Sequence, residues 1–474
     1  MNATTRCICL AVVAVLLLTA TMDELSAQVT ESGQNAPENP ERPEINWHYR
    51  WQEDWSILSD TTLRTDPFDL IKYIRIGPNP QSYLSLGATI RERFESVSYR
   101  LGLFQPDDYL IDRTQLHADL HLGTYLRIFT QVVDARAFGK TLVGPIDQDR
   151  LDLEQAFASF TLPVGTDKFT ITAGRQEPKL DLQRFADIRD GPNVRQPFNS
   201  VAADYTSKNW QAVGFYSQPV FTVDEKLFDD FSNNHFTISG VRFEHYNVGP
   251  GTLSLFAAQL RNDNAFYLIE AGSERRNVLD MRYTGRSAGW DWDVEGMDQW
   301  GDIETKNINA WGVGGLIGYS WTTHPWSPRL GLQIDAASGT DNPNGNTLGT
   351  FNPLFPSGFY ELLAGYPGYA NFVHLKLSVR MLPLKTLSVL LTTGSMWRET
   401  TADAVYLLPV IPILGTAGTG NAYSGSYYQV RFDWTISPHL ASAIDAEYFA
   451  HSQSLHQAGA SNGRFVGGEL RFGI

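Results

Sequence analysis

Val373-His374-Leu375-Lys376-Leu377-Ser378-Val379-Arg380 alternates without a break. Side chains on a β-strand point to opposite faces at successive residues, so Val373, Leu375, Leu377 and Val379 line one face. His374, Lys376, Ser378 and Arg380 line the other. A strand of this kind separates an apolar medium from a polar one.

The pattern recurs on both sides of this stretch. Leu84, Leu86, Ala88, Ile90 and Phe94 oppose Ser85, Thr89, Arg91, Arg93 and Glu95, with Glu92 out of phase. Leu116, Ala118, Leu120 and Leu122 oppose Arg113, Gln115, His117, Asp119 and His121. Leu330, Leu332 and Ile334 oppose Arg329, Gln333 and Asp335, and Tyr428, Val430, Phe432 and Trp434 oppose Gln429, Arg431 and Asp433. A soluble β-sandwich alternates too, but it rarely sustains the pattern over so many strands with no helical period between them.

Short connections with turn chemistry, around Gly123, Pro163, Asn209, Gly249, Gly289, Pro325, Pro383 and Pro438, take turns with long ones at 176–198, 218–235, 338–370 and 399–425. This asymmetry is that of outer-membrane barrels, with short periplasmic turns and long extracellular loops. The segments number about 18, an even count that puts both ends on the periplasmic side. The expected fold is therefore all-β, a transmembrane antiparallel up-and-down barrel. Its last strand runs to Ile474, with the terminal aromatic displaced to Phe472.

The 474 residues are 42% hydrophobic and 12% aromatic, enough to furnish interfacial girdles. Residues 1–27 read as a secretory signal peptide, with Arg6 ahead of an apolar core and small residues before Gln28. Both cysteines, Cys7 and Cys9, fall inside it, so the exported chain is held without disulfides. Residues 28–70, rich at first in Pro, Glu, Asn and Ser, read as a periplasmic linker whose Trp47, Trp51 and Trp55 pack against the barrel end or bind a partner. The barrel occupies 71–474. The formal charge of −15 speaks against a nucleic-acid partner.

Strand phase assigns Arg91, Arg93, Arg127, Arg242, Arg282, Arg329, Lys376, Arg380 and Arg431 to the lumen, with Arg471 beside them. Glu95, Asp119, Glu244, Asp280, Asp291, Asp335, Asp433, Asp445 and Glu469 share that face. Each arginine is read first as part of a wall ladder with neighbouring carboxylates. Any surplus in a barrel this wide acts on what passes, and rings of Arg or Lys select anions.

No metalloprotease, nucleophile-elbow, phosphate-loop or dinucleotide fingerprint is present, so no catalytic residue, metal or cofactor is expected. His117 and His121 share a face but stand about 13 Å apart along a strand. The oxygen-rich stretch from Asp341 to Asn346 loses calcium-loop spacing at Pro343 and reads as a solvated turn.

The chain resembles the alginate export family over 72–474. The likeness is carried by Arg91-Glu92-Arg93-Phe94, Asp134-Ala135-Arg136-Ala137-Phe138-Gly139, Ala173-Gly174-Arg175-Gln176-Glu177 and Gly191-Pro192-Asn193-Val194-Arg195. Ala310-Trp311-Gly312-Val313-Gly314, Thr350-Phe351-Asn352-Pro353-Leu354-Phe355-Pro356 and Trp397-Arg398-Glu399 continue it. Thr340 and the stretch from Leu180 to Gln183 depart from the family pattern. The resemblance implies an outer-membrane pore of a Gram-negative-type bacterium that passes anionic polysaccharide such as alginate, or smaller anionic solutes, through an arginine-lined constriction.

On that analogy Arg136, Arg175 and Arg195 join Arg91 and Arg93 as pore candidates. Phase from Phe169 and Ile171 turns Arg175 toward lipid, so its place in the pore requires a bulge at Gly174. Outer-membrane lipid, lipopolysaccharide and the barrel assembly machinery are the other expected partners, and the expected state is a monomer. Two alternatives remain. One is an adhesin or receptor acting through its long loops with a closed lumen; the other, a barrel hydrolase, lacks a Ser-His pair in suitable phase.

Overall fold

The computed structural model describes residues 42–98, 106–177, 184–185, 188–360, 362, 364–365 and 367–474. The signal-peptide expectation lies outside them. Eighteen long strands build the wall. They are β1 (Tyr83–Ser98), β2 (Asp107–Leu122), β3 (Leu126–Phe138), β4 (Asp149–Val164), β5 (Asp167–Gln176) and β6 (Phe198–Thr206). Next come β7 (Trp210–Phe221), β8 (Phe236–Val248), β9 (Gly251–Phe266), β10 (Ala271–Ser287), β11 (Trp290–Ile303) and β12 (Lys306–Ser320). β13 (Arg329–Ala337), β14 (Phe372–Leu384), β15 (Leu387–Trp397), β16 (Tyr423–Ser437), β17 (Leu440–His451) and β18 (Gly463–Gly473) complete the circuit.

Each strand pairs antiparallel with its neighbours in sequence, and β18 returns to β1 with Gly473 opposite Thr89 and Arg464 opposite Ser98. Closure removes the free edge that would otherwise leave unpaired amides in lipid. The last residue takes part: Ile474 N donates to Ala88 O at 3.0 Å, and Ala88 N to Ile474 O at 3.1 Å.

The opening stretch lies in β14 as its alternation requires. Leu375 and Leu377 are 40% and 48% exposed on the outer face, whereas His374 is buried inside between Asp335 (3.1 Å) and the Tyr427 hydroxyl (2.7 Å). The usual partition is reversed, with apolar side chains outside and polar ones within, because the surrounding solvent is hydrocarbon. Trp290, Trp321, Trp326 and Trp434 are exposed near the short-turn end, and Phe138, Phe266, Trp300 and Tyr423 near the other, as interfacial girdles. Among the described residues no helix is long and apolar enough to cross a membrane.

The short turns fall where the sequence places them. The long-loop end is less uniform than expected, since β9 and β10 are joined by 267–270 alone and β11 and β12 by 304–305. From residue 42, the segment expected as a linker is packed into the barrel mouth. Trp55 and Leu58 are buried against Tyr73 and Tyr83. Arg50 reaches Thr89 Oγ1 (2.7 Å), Ala88 O (3.0 Å) and Ile474 O (2.7 Å).

Candidate functional site

Two connections fold into the barrel. The first, between β5 and β6, is held against β1 and β2 by arginines whose alternation aims them inward. Arg91 donates to Asp190 O (2.7 Å) and Pro192 O (3.0 Å). The Asn193 amide donates to Asp112 O and Asp147 O, both at 2.9 Å, securing the turn to the wall. Across the lumen, Arg184 of the same connection meets Glu295 (2.6 Å), the Tyr360 hydroxyl (2.6 Å) and Asp335 (3.4 Å). The connection is thus tied to opposite sides of the wall.

Asp190 is the focus of this constriction. Its carboxylate lies 2.5 Å from Arg113, 2.7 Å from Arg195, 3.2 Å from Arg471 and 3.1 Å from His48 Nδ1. Arg195 also reaches Glu177 at 3.3 Å and donates to His48 O at 2.9 Å. Planar guanidinium groups pair with carboxylates through paired donors, so this cluster is built to hold a carboxylate.

The second connection, 338–371, supplies Phe351, Leu354, Phe355, Leu362 and Tyr369. With Phe185 and inward wall residues such as Ile238, Phe256, Met297 and Phe465, they form an apolar cluster in the long-loop half of the lumen. Phe185 joins the two connections, its ring centroid 5.3 Å from Phe351 and 5.2 Å from Tyr369. Apolar side chains of both connections narrow the lumen at this level.

Most of the sequence-selected arginines are wall ladders. Arg93 meets Glu95 (2.8 Å), Glu469 (3.4 Å) and Asp445 (3.7 Å). Arg282 meets Asp293 (2.5 Å), and Arg329 meets Asp291 (2.5 Å). Arg431 meets Asp433 (2.7 Å) and Asp445 (2.9 Å). Arg127 pairs with Asp119 at 2.7 Å, and Arg242 pairs with Glu244. Lys376 donates to Tyr360 O (2.9 Å) and Arg380 to Ser388 Oγ (3.2 Å).

Two candidates lie elsewhere. Arg136 is on the outward phase of β3, opposite in phase to the buried Val133 and Ala135, and pairs with Asp134 at 2.6 Å. It stands opposite Asp112, which in turn faces Glu92, so these charges form an outward polar patch toward the long-loop end. Arg175 also keeps its outward phase. Gly174 takes a φ of +134°, and a Cβ there would lie 2.2 Å from Ala156 O, yet the pairing with β4 and β6 runs through it without a register shift. The expected re-aiming bulge does not form. Arg175 is instead covered by the β7–β8 connection, donating to Asp230 O at 3.0 Å.

Arg113, Asp190 and Arg184 were not singled out from the sequence. Arg113 stood in a recognised alternation, and its phase was the available signal. Nothing local marks Asp190, whose partners come from β2, β18, the N-terminal segment and its own turn. His117 and His121 are also placed separately, stacking on Phe129 and Tyr83. At Asp341–Asn346, Asn342 closes a turn by accepting from Gly345 N and Asn344 N.

The closed antiparallel wall and its inward-folded connections define an outer-membrane β-barrel of the porin type. The chain belongs to the alginate export family, whose model matches residues 82–469. This makes it an outer-membrane channel protein for solutes. No curated protein matches the chain. Several solved barrels share the fold. OccK2 (OpdF) of Pseudomonas aeruginosa in complex with glucuronate is 12% identical with a TM-score of 0.56, covering 82% of this chain and 98% of that one. A BenF-like porin from Pseudomonas fluorescens Pf-5 is 11% identical with a TM-score of 0.56 and the same coverages. OpdK of P. aeruginosa with vanillate is 12% identical, with a TM-score of 0.54 and again 82% and 98% covered.

Proposed function

We propose that this channel passes anionic saccharides, alginate or smaller carboxylates among them, through the arginine constriction around Asp190. The observation that carries the reading is the convergence of Arg113, Arg195 and Arg471 on one carboxylate, with Arg91 holding the adjoining carbonyls. In this reading Asp190 occupies a site that substrate carboxylates take in transit, and its exchange for them loosens the connection that crosses the lumen. Two of the similar barrels were crystallised with carboxylates, glucuronate and vanillate, in keeping with such chemistry.

Conductance in planar bilayers tests it. The protein is expected to be anion-selective, its current reduced by glucuronate or oligouronates, with both properties weakened in Arg113→Ala and Arg195→Ala. Cation selectivity of the unmodified protein would sink the proposal. The apolar cluster in the long-loop half favours a second reading, a closed barrel acting as an adhesin or receptor through its loops. Negligible conductance together with loop-dependent surface binding would select that one.

A further inference from the structure

At the long-loop end, β4 outruns its neighbour. Its pairing with β5 stops at Ala156 opposite Arg175, while β4 itself begins at Asp149. The β7–β8 connection comes up beside this uncovered stretch. Phe228 N donates to Leu151 O at 3.3 Å, Asp230 N to Asp152 Oδ2 at 3.2 Å, and Arg150 Nε meets Asp224 Oδ1 at 2.7 Å.

Three carboxylates meet in the seam. Each of Asp149, Asp152 and Asp230 offers an oxygen, and the three oxygens lie within 4.8 Å of one another. Two of the groups are fixed in place: Asp152 accepts from Leu153 N at 2.6 Å, and Asp230 accepts from Val223 N at 2.8 Å. Asp149 differs from them. It is 2% exposed, and its Oδ1 has no hydrogen-bond partner among the described residues. An ionised carboxylate buried without partners is costly, and a cation is one of the few things that relieve it.

The charge count leaves room for that cation. Acids outnumber guanidinium groups in the seam, where three carboxylates meet one guanidinium, that of Arg175, 3.6 Å from Asp152. Ligands bound to calcium at about 2.3–2.6 Å stand no more than about 5 Å apart, which the oxygen separations satisfy. An all-carboxylate donor set suits a hard ion rather than zinc or copper, and calcium tolerates the irregular geometry of a loop-to-strand seam better than magnesium does.

We propose that Asp149, Asp152 and Asp230 bind a calcium ion that fastens the β7–β8 connection to the exposed edge of β4. The site is separate from the arginine constriction, so its test and that of the transport reading fail independently. The ion replaces the strand partner that β4 loses above Ala156, while Arg175 braces the connection through its carbonyl. Half-saturation is expected at about 0.1–1 mM, the range of extracellular calcium modules.

The experiment uses the folded full-length barrel in detergent, stripped with EDTA and titrated with calcium chloride alone. Calorimetry is expected to give one ion per chain, weakened about tenfold or more in Asp149→Asn and in Asp149→Asn/Asp152→Asn. Calcium is also expected to slow tryptic cleavage after Lys226, which is exposed in the same connection. Folding of each variant is checked by heat-modified gel mobility. Because Asp149 Oδ1 has no hydrogen-bond partner among the described residues, the single variant serves if the double one fails to fold. No binding or protection in the unmodified protein at millimolar calcium overturns the proposal. So does equal protection by magnesium or by sodium chloride at matched ionic strength, or unchanged affinity in the folded variants.

Discussion

Replacing Asp190 by Asn keeps the shape of the constriction and removes its focal charge. Arg113, Arg195 and Arg471, at 2.5, 2.7 and 3.2 Å, then lose the carboxylate between them. Breaking a buried ion pair by removing one partner costs about 3–5 kcal/mol. Here that cost loosens the connection rather than the wall, because the wall is held by its own ladder. A gain of one positive charge about 5 Å from a passing ion in a water-like medium is worth about 0.8 kcal/mol, which is about fourfold in anion partitioning. The assay is the reversal potential across a planar bilayer under a salt gradient. It belongs near 0.1 M salt, where the screening length is about 10 Å, since at 1 M it falls to about 3 Å and hides the effect. Larger single-channel current and a reversal potential moved toward the anion value are expected. A folded Asp190→Asn variant with unchanged or cation-shifted selectivity would refute the view that Asp190 shields the arginines from the passing solute.

Three further outcomes follow from the same geometry. Leu377→Arg places a charge on the lipid face of β14, where Leu377 is 48% exposed, and is expected to destabilise the barrel by about 2–4 kcal/mol if it lies near the bilayer midplane, measured by chemical unfolding in lipid. Trp55→Ala removes a side chain 2% exposed at the barrel mouth and is expected to cost about 3–5 kcal/mol of local packing. Protease accessibility of the N-terminal segment rises while the wall remains resistant. Burial, with Asp152 and Asp229 adding to it, pushes Asp230 up to about 6 against the opposing Arg175. A raised carboxyl binds more protons folded than unfolded, so without calcium Asp230 contributes stability that grows as pH falls from about 6 toward 4. Calcium protection of the 222–235 connection therefore shrinks over the same interval, as followed by tryptic cleavage.

The wall was legible because its evidence is periodic. Val373 to Arg380 places Leu375 and Leu377 outside and His374 inside by counting alone, and the same count put Arg175 outward more reliably than its motif put it inward. The interior was not legible in this way. Residues 184–197 and 338–371 carry no period, and the place of Phe185 between Phe351 and Tyr369 depends on contacts far apart in sequence. Asp149 and Asp152 reveal nothing until Asp230 arrives from another loop. The arginine count also overstated the constriction, because Arg282, Arg329 and Arg431 are neutralised by wall acids that share their phase.

Arg50 bonds to both sides of the barrel seam, to Thr89 and Ala88 O on β1 and to Ile474 O just beyond β18. Its full set of acceptors exists only when the first and last strands are already joined. The N-terminal segment therefore docks completely onto a finished cylinder, although it is made first. Docking and seam closure strengthen each other by linkage, and the segment acts as a latch across the junction of the first and last strands.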